Sequence, residues 1–142
     1  MPFNPLPLAY SVAPSNPTGT TNTSGLMMGL AGSITPTQTG RVLVVVTGNI
    51  ANNTNADGAK VRLRLGTGSA PANAGALTGT VYGTIAEDTG AGLIGADKTP
   101  FTLQALITTL TVNTAYWIDC DLAAITAGTA SITDVYISVI EV

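Results

Sequence analysis

From residue 25 onward, apolar and polar positions alternate with period two in one segment after another. That is the mark of half-buried β-strands, and no convincing amphipathic helical pattern interrupts it. Val61, Leu63 and Leu65 alternate with Lys60, Arg62 and Arg64. Phe101, Leu103, Ala105 and Ile107 alternate with Thr102, Gln104 and Thr108. In Ala115 to Leu122, the positions Tyr116, Ile118, Cys120 and Leu122 share one face, and Trp117, Asp119 and Asp121 the other. Arg41 to Ile50 is apolar on both faces and predicts a central strand; Ser131 to Val142 is apolar on both faces and predicts a sheet centre or a subunit interface. Gly25 to Ile34 predicts a weaker strand, and Leu77 to Ala86 another. Turn chemistry separates these segments: Asn52 to Gly58 is a dense turn signal, Gly66 to Gly75 a Gly/Ala/Pro loop, and Glu87 to Lys98 a Gly-rich excursion. Short strands at short intervals predict an all-β fold, an antiparallel β-sandwich or jelly roll of about eight strands.

Residues 1–24 follow a different pattern. Five of the eight prolines fall here (Pro2, Pro5, Pro7, Pro14 and Pro17), and they enforce extended backbone and exclude a helix. Phe3, Leu6, Leu8, Tyr10 and Val12 give this stretch apolar side chains that a solvated linker does not need. Two readings stand: a disordered tail, or an extended proline-rich arm that lies on a partner or a sister subunit, a role in which a pre-extended segment loses little entropy on docking. The expected organisation is therefore an arm at 1–24 and a sandwich at 25–142.

Composition narrows the function classes. The 142-residue chain has no histidine and one cysteine, so Ser-His-Asp and Cys-His catalysis, histidine-ligated metals and thiolate cages are excluded. A protein that binds and holds is expected, not an enzyme, and no cofactor is called for. Charged residues make up 9% of the chain and the net charge is −3. Nucleic-acid binding needs a dense basic face, and Lys60, Arg62 and Arg64 make a small one. No apolar run approaches the roughly 20 residues that span a bilayer, so no membrane partner is expected. The N-terminus lacks the basic and apolar regions of a secretory signal, which points to synthesis in a cytoplasm with Cys120 as a reduced thiol. Threonine occurs 23 times and supplies a neutral, strand-favouring exterior. Such a low-charge surface suits packing against neighbours in an assembly.

Each remaining candidate has a structural alternative. Asp119 and Asp121 share a strand face and could contribute to a calcium site; the alternative is a solvated face or cross-strand pairing with Arg62 and Arg64. Glu87-Asp88 sits in a Gly-rich stretch, and with aromatics at 5% the sugar-stacking platforms of a glycosidase are scarce. Gly66 to Ser69 lacks the Gly-Lys-Ser/Thr ending of a phosphate loop. Trp117, with Arg62 and Arg64, is a possible surface contact, or else an inter-sheet core residue. Cys120 reads as a buried structural thiol.

Gly40 to Ile50, Asp57-Gly58-Ala59, Arg64 to Ala72, Leu77 to Thr80, Thr114 to Asp119 and Gly128 to Ile132 together carry a family likeness. From residue 40 to its end the chain resembles small β-sandwich virion proteins of tailed bacteriophages, the capsid decoration (cement) proteins and related structural modules. The resemblance implies an oligomeric jelly-roll subunit, a homodimer or homotrimer, on the outer capsid surface of the virion. Its implied partner is the major capsid protein, with neighbouring copies clamped together. The alternative from a different class is a receptor- or glycan-binding module of a tail fibre or spike. Lack of a repetitive shaft and scarcity of aromatics favour the first.

Overall fold

A computed structural model describes residues 8–90 and 97–142 and contains nine strands, with no helix among the described residues. They are β1 (Ala9–Val12), β2 (Leu26–Met27), β3 (Gly32–Ile34), β4 (Val42–Asn52), β5 (Ala59–Gly66), β6 (Thr80–Asp88), β7 (Thr99–Ile107), β8 (Tyr116–Ala124) and β9 (Ala130–Glu141). The first sheet has the order β1-β9-β4-β7, and the second the order β2-β8-β5-β6, with β3 also paired to β8.

The pairings nest. β1 pairs with β9, β2 and β3 with β8, β4 with β7, and β5 with β6, every pair antiparallel. The chain is thus one long hairpin of paired segments, rolled up so that β4 meets β9 and β5 meets β8. This is a jelly roll. Its core lies between the sheets: Val44, Val46, Leu103 and Ile137 from the first meet Leu63, Ile118, Cys120 and Leu122 from the second. Each such aliphatic side chain contributes roughly 1.5–3 kcal/mol on burial. The two strands that are apolar on both faces, β4 and β9, lie side by side in the middle of the first sheet.

Two boundaries depart from the sequence pattern. The sandwich begins inside the proline-rich stretch, not at residue 25: β1 runs antiparallel to β9 in the register Ala9↔Ile140 to Val12↔Ile137, and Leu8, Tyr10 and Val12 pack against the core. The expected strand at Gly25–Ile34 divides into β2 and β3. Gly29 and Ala31 take left-handed backbone (φ 68° and 55°), and the N–H groups of Gly29 and Leu30 turn to the Asp119 carboxylate instead of a strand.

Candidate interaction surface

The outward positions of the second sheet carry the chain's charged chemistry. Register places Arg62 opposite Asp121 and Arg64 opposite Asp119 across β5 and β8. Arg62 Nε donates to Asp121 Oδ1 at 3.0 Å, and Arg64 Nε pairs with the other oxygen of the same carboxylate. Arg64 Nη1 also donates to the carbonyls of Thr78 (3.2 Å) and Gly79 (3.3 Å). Asp119 accepts from the backbone N–H groups of Gly29 and Leu30, both at 2.9 Å, and of Cys120 at 2.8 Å. Burial raises the Asp119 pKa; those three N–H donors oppose the rise, and neighbouring Asp121 adds to it. Burial, then Asp119 and Asp121, hold the Cys120 thiol well above its ordinary value, so it stays protonated and inert.

This face is covered by its own chain. Met27 exchanges backbone hydrogen bonds with Ala74 and Gly75, and residues 67–79 lie across β5 and β8. Trp117 is 5% exposed beneath them, its indole N–H donating to the Thr67 carbonyl at 3.2 Å. Gly66 and Gly79 let the loop approach, because a Cβ on either would overlap the indole ring. Trp117 is therefore neither an exposed contact nor an inter-sheet core residue. Arg64 is buried, and Arg62 keeps 31% of its side chain exposed. Trp117 and Arg64, expected as possible surface contacts, are instead covered, and Arg62, partly exposed, joins Arg64 as the outer member of a clamp on Asp121. Of the two aspartates, Asp121 is paired across the strands with Arg62 and Arg64, as one alternative held, whereas Asp119 is held by backbone N–H groups alone; both lie under cover and not on a solvated face. Among the described residues, no group of three His, Cys, Asp or Glu side chains is placed to hold a metal ion.

Two more buried carboxylates fasten loops. Asp57 accepts from the N–H groups of Gly58, Thr126 and Ala127 and from the Thr126 hydroxyl, tying the β4–β5 turn to the β8–β9 connection. Asn52 bridges the same loops through the carbonyls of Gly58 and Ala127, both at 2.9 Å. Burial works to raise the Asp57 pKa, and these donors outweigh it and hold it below the ordinary value. Glu141 receives the N–H groups of Thr37 (2.9 Å), Gln38 (2.9 Å), Thr39 (2.6 Å) and Gly40 (3.2 Å). Burial again pushes upward, and the four backbone donors overcome it, lowering Glu141 to about 2. No periodicity points to this nest, since Glu141 reads as one more residue of a terminal strand.

The outer face of the first sheet has the opposite character. Its rows follow from register: Ala9, Ile140, Leu43 and Leu106 side by side; then Ser11, Ser138, Val45 and Gln104; then Tyr136, Thr47 and Thr102. Leu106 is 56% exposed, Tyr136 47%, Ile140 37% and Leu43 36%. No charged side chain stands in these rows. Arg41 flanks them at one end, and the exposed Lys98–Asp134 pair lies beyond the other. Sequence reasoning found the apolar outward positions of β9 but not the rows they form with β4 and β7, which depend on strand order.

Among the arm positions expected to bind a partner, Leu8, Tyr10 and Val12 pack on the chain's own core, with Leu8 and Tyr10 also lining an open groove of about 340 Å³. Ala9, Ser33, Ile34, Thr35 and Thr37 complete its walls, where the unpaired edges of β1 and β3 approach each other. Phe3 and Leu6 lie outside the described residues.

Fold and surface together define a jelly-roll sandwich whose buried carboxylates fasten loops and in which no described residue covers the outer face of the first sheet. No protein-family model and no curated protein matches the sequence. Among solved structures, the chain is similar to a VP2 subviral particle of infectious bursal disease virus, with a TM-score of 0.55 and 12% identity over 94% of this chain and 32% of that one. A structure of the Gx strain of the same virus matches with a TM-score of 0.54 and 13% identity, over 94% and 32% of the two chains. This chain spans about a third of the length of those it matches. At such identity the likeness is one of fold: a β-sandwich shared with viral structural proteins.

Proposed function

We propose that this chain is a non-enzymatic structural protein of a virion, one that binds the outside of a phage capsid and cements neighbouring major capsid proteins. The observation that carries this reading is the uncharged outer face of the first sheet, with Leu43, Leu106, Tyr136 and Ile140 exposed in register. A face of that kind suits protein–protein association, where charged residues are depleted at the centre of the contact. The titratable groups support the same reading. Asp57, Asp119, Asp121 and Glu141 are engaged with backbone donors or arginines, which suits a scaffold better than a reaction site. Two further supports are the sandwich fold shared with the viral particle and the phage-like stretch from residue 40.

The mechanism is linkage. A ligand that binds only the assembled shell stabilises that state by its binding free energy, in proportion to the number of copies bound. The sandwich supplies a rigid body, and the segment leading into β1, with Phe3 and Leu6, reaches a neighbouring shell subunit. Immunogold labelling of intact particles with an antibody to this chain tests the proposal. Gold spread over the heads is the expected outcome. Gold confined to the tail tip would replace it with receptor or glycan binding, and unlabelled particles would remove the virion role altogether.

A further inference from the structure

The geometry points to a second copy of this chain as the occupant of the bare face, in a two-fold dimer that packs the two β1-β9-β4-β7 sheets face to face. This deepens the structural role proposed above, on which it rests, by naming the partner of that face.

Three observations select a second copy. The first is charge. Each copy carries a net charge of −3, so two copies repel through most approaches, but the rows built on Leu43, Leu106, Tyr136 and Ile140 bring no charge to the contact. A neutral face is complementary to itself. The second is area. The three rows span about five residues at a 3.3 Å rise on β4, β7 and β9, at about 4.8 Å strand spacing, and with the shorter β1 give a flat area on the order of 300 Å². This is the uncharged centre, and side-chain relief together with the flanking polar positions enlarges it towards the roughly 800 Å² per partner that a stable interface buries. The third is shape. A single sheet face offers one patch, and one patch closes with itself about a two-fold axis, whereas a three-fold ring needs two different patches. The dimer reading therefore displaces the trimer. It also leaves the β1–β3 groove outside the dimer contact.

Size-exclusion chromatography with light scattering on the full chain provides the test. The wild-type chain is expected at twice its 14.3 kDa mass at micromolar concentration. Leu106→Lys places a cation at the most exposed apolar position of the face, and two such cations meet across the interface. Dimer affinity should fall about a hundredfold or more, as for a charge buried without a partner. Ile85→Lys, on β6 of the other sheet and 44% exposed, should leave the dimer intact. Circular dichroism verifies that both variants keep the β fold. A wild-type monomer at about 100 μM, or a Leu106→Lys protein that still dimerises, overturns the inference. A monomer whose capsid binding is lost in Leu106→Lys overturns it too and assigns the face to a shell protein. Head labelling of virions by a monomeric chain would sink the dimer alone, whereas a dimer on unlabelled virions would sink the virion role alone.

Discussion

On β5 and β8 the outward positions hold Arg62, Arg64, Trp117, Asp119 and Asp121; on β4 and β9 they hold Leu43, Val45, Tyr136, Ser138 and Ile140. Residue type alone would send the first group to water and the second inward. The molecule does the reverse. The charged face lies under residues 25–30 and 67–79 of its own chain, whose backbone N–H and C=O groups give Asp119 and Arg64 their partners. Among the described residues nothing covers the apolar face, and its leucines and tyrosine are exposed. Irregular backbone brings unpaired polar groups, so a covering loop needs a polar surface beneath it. An apolar sheet face needs another flat apolar surface, and a neighbouring molecule can supply one. The charged side chains thus work inside the subunit and the uncharged ones outside it.

The largest effect that would break this contrast is expected on the covered face. Asp121→Ala removes the shared partner of Arg62 and Arg64 and leaves a buried guanidinium unpaired, at a cost of about 3–5 kcal/mol. Urea denaturation measures it, and a loss under about 1 kcal/mol would mean that the loop is only loosely held over the sheet.

A smaller effect sharpens the comparison at the end of β9, the strand that spans both situations. Glu141 is lowered from an ordinary value of 4.5 to about 2, so the folded state binds this proton less readily than the unfolded one. Its contribution is fully present above pH 4.5 and is lost as the pH falls towards 2. Glu141→Gln, which replaces a charge-assisted nest with a neutral amide, should lower stability at pH 7 by about 2 kcal/mol. The variant should also flatten the acid limb of the melting temperature between those pH values. A variant melting curve parallel to wild type through that range would show that the nest is not the source of the acid sensitivity.

The smallest effect on folding belongs to the bare face. Leu106→Lys should change the stability of the isolated subunit by no more than about 0.5 kcal/mol, because the side chain is already exposed. Dilute thermal melts, below the association range, separate this from the loss of dimer. A large destabilisation under those conditions would reveal an intramolecular cover for the face.

Much of the fold was legible because period-two alternation survives in any context. β4, β5, β7, β8 and β9 fall within two residues of where the pattern places them. The departures share one cause, the capture of local backbone by a distant residue. Asp119, some ninety positions away, interrupts the strand at Gly29, and β9 recruits Ala9–Val12 from the proline-rich stretch into the sheet. Alternation also assigned Trp117 to the correct face of β8, opposite Ile118 and Cys120. It could not tell that the face was covered, because cover comes from Gly66 to Gly79, a loop with no periodicity of its own.

The sequence by itself determined that this is an all-β sandwich of low charge, without histidine chemistry, built around two strands that are apolar on both sides. These properties depend on residue type and on spacing within a single strand. The tertiary structure alone decided which outward face is covered and which is bare, that the arginine–aspartate cluster is a clamp, and that Glu141 sits in a nest of backbone donors. Those outcomes depend on which strands become neighbours and where the loops come to rest. Pairing across a sheet is set by contacts between residues far apart in the chain, and no local pattern encodes them.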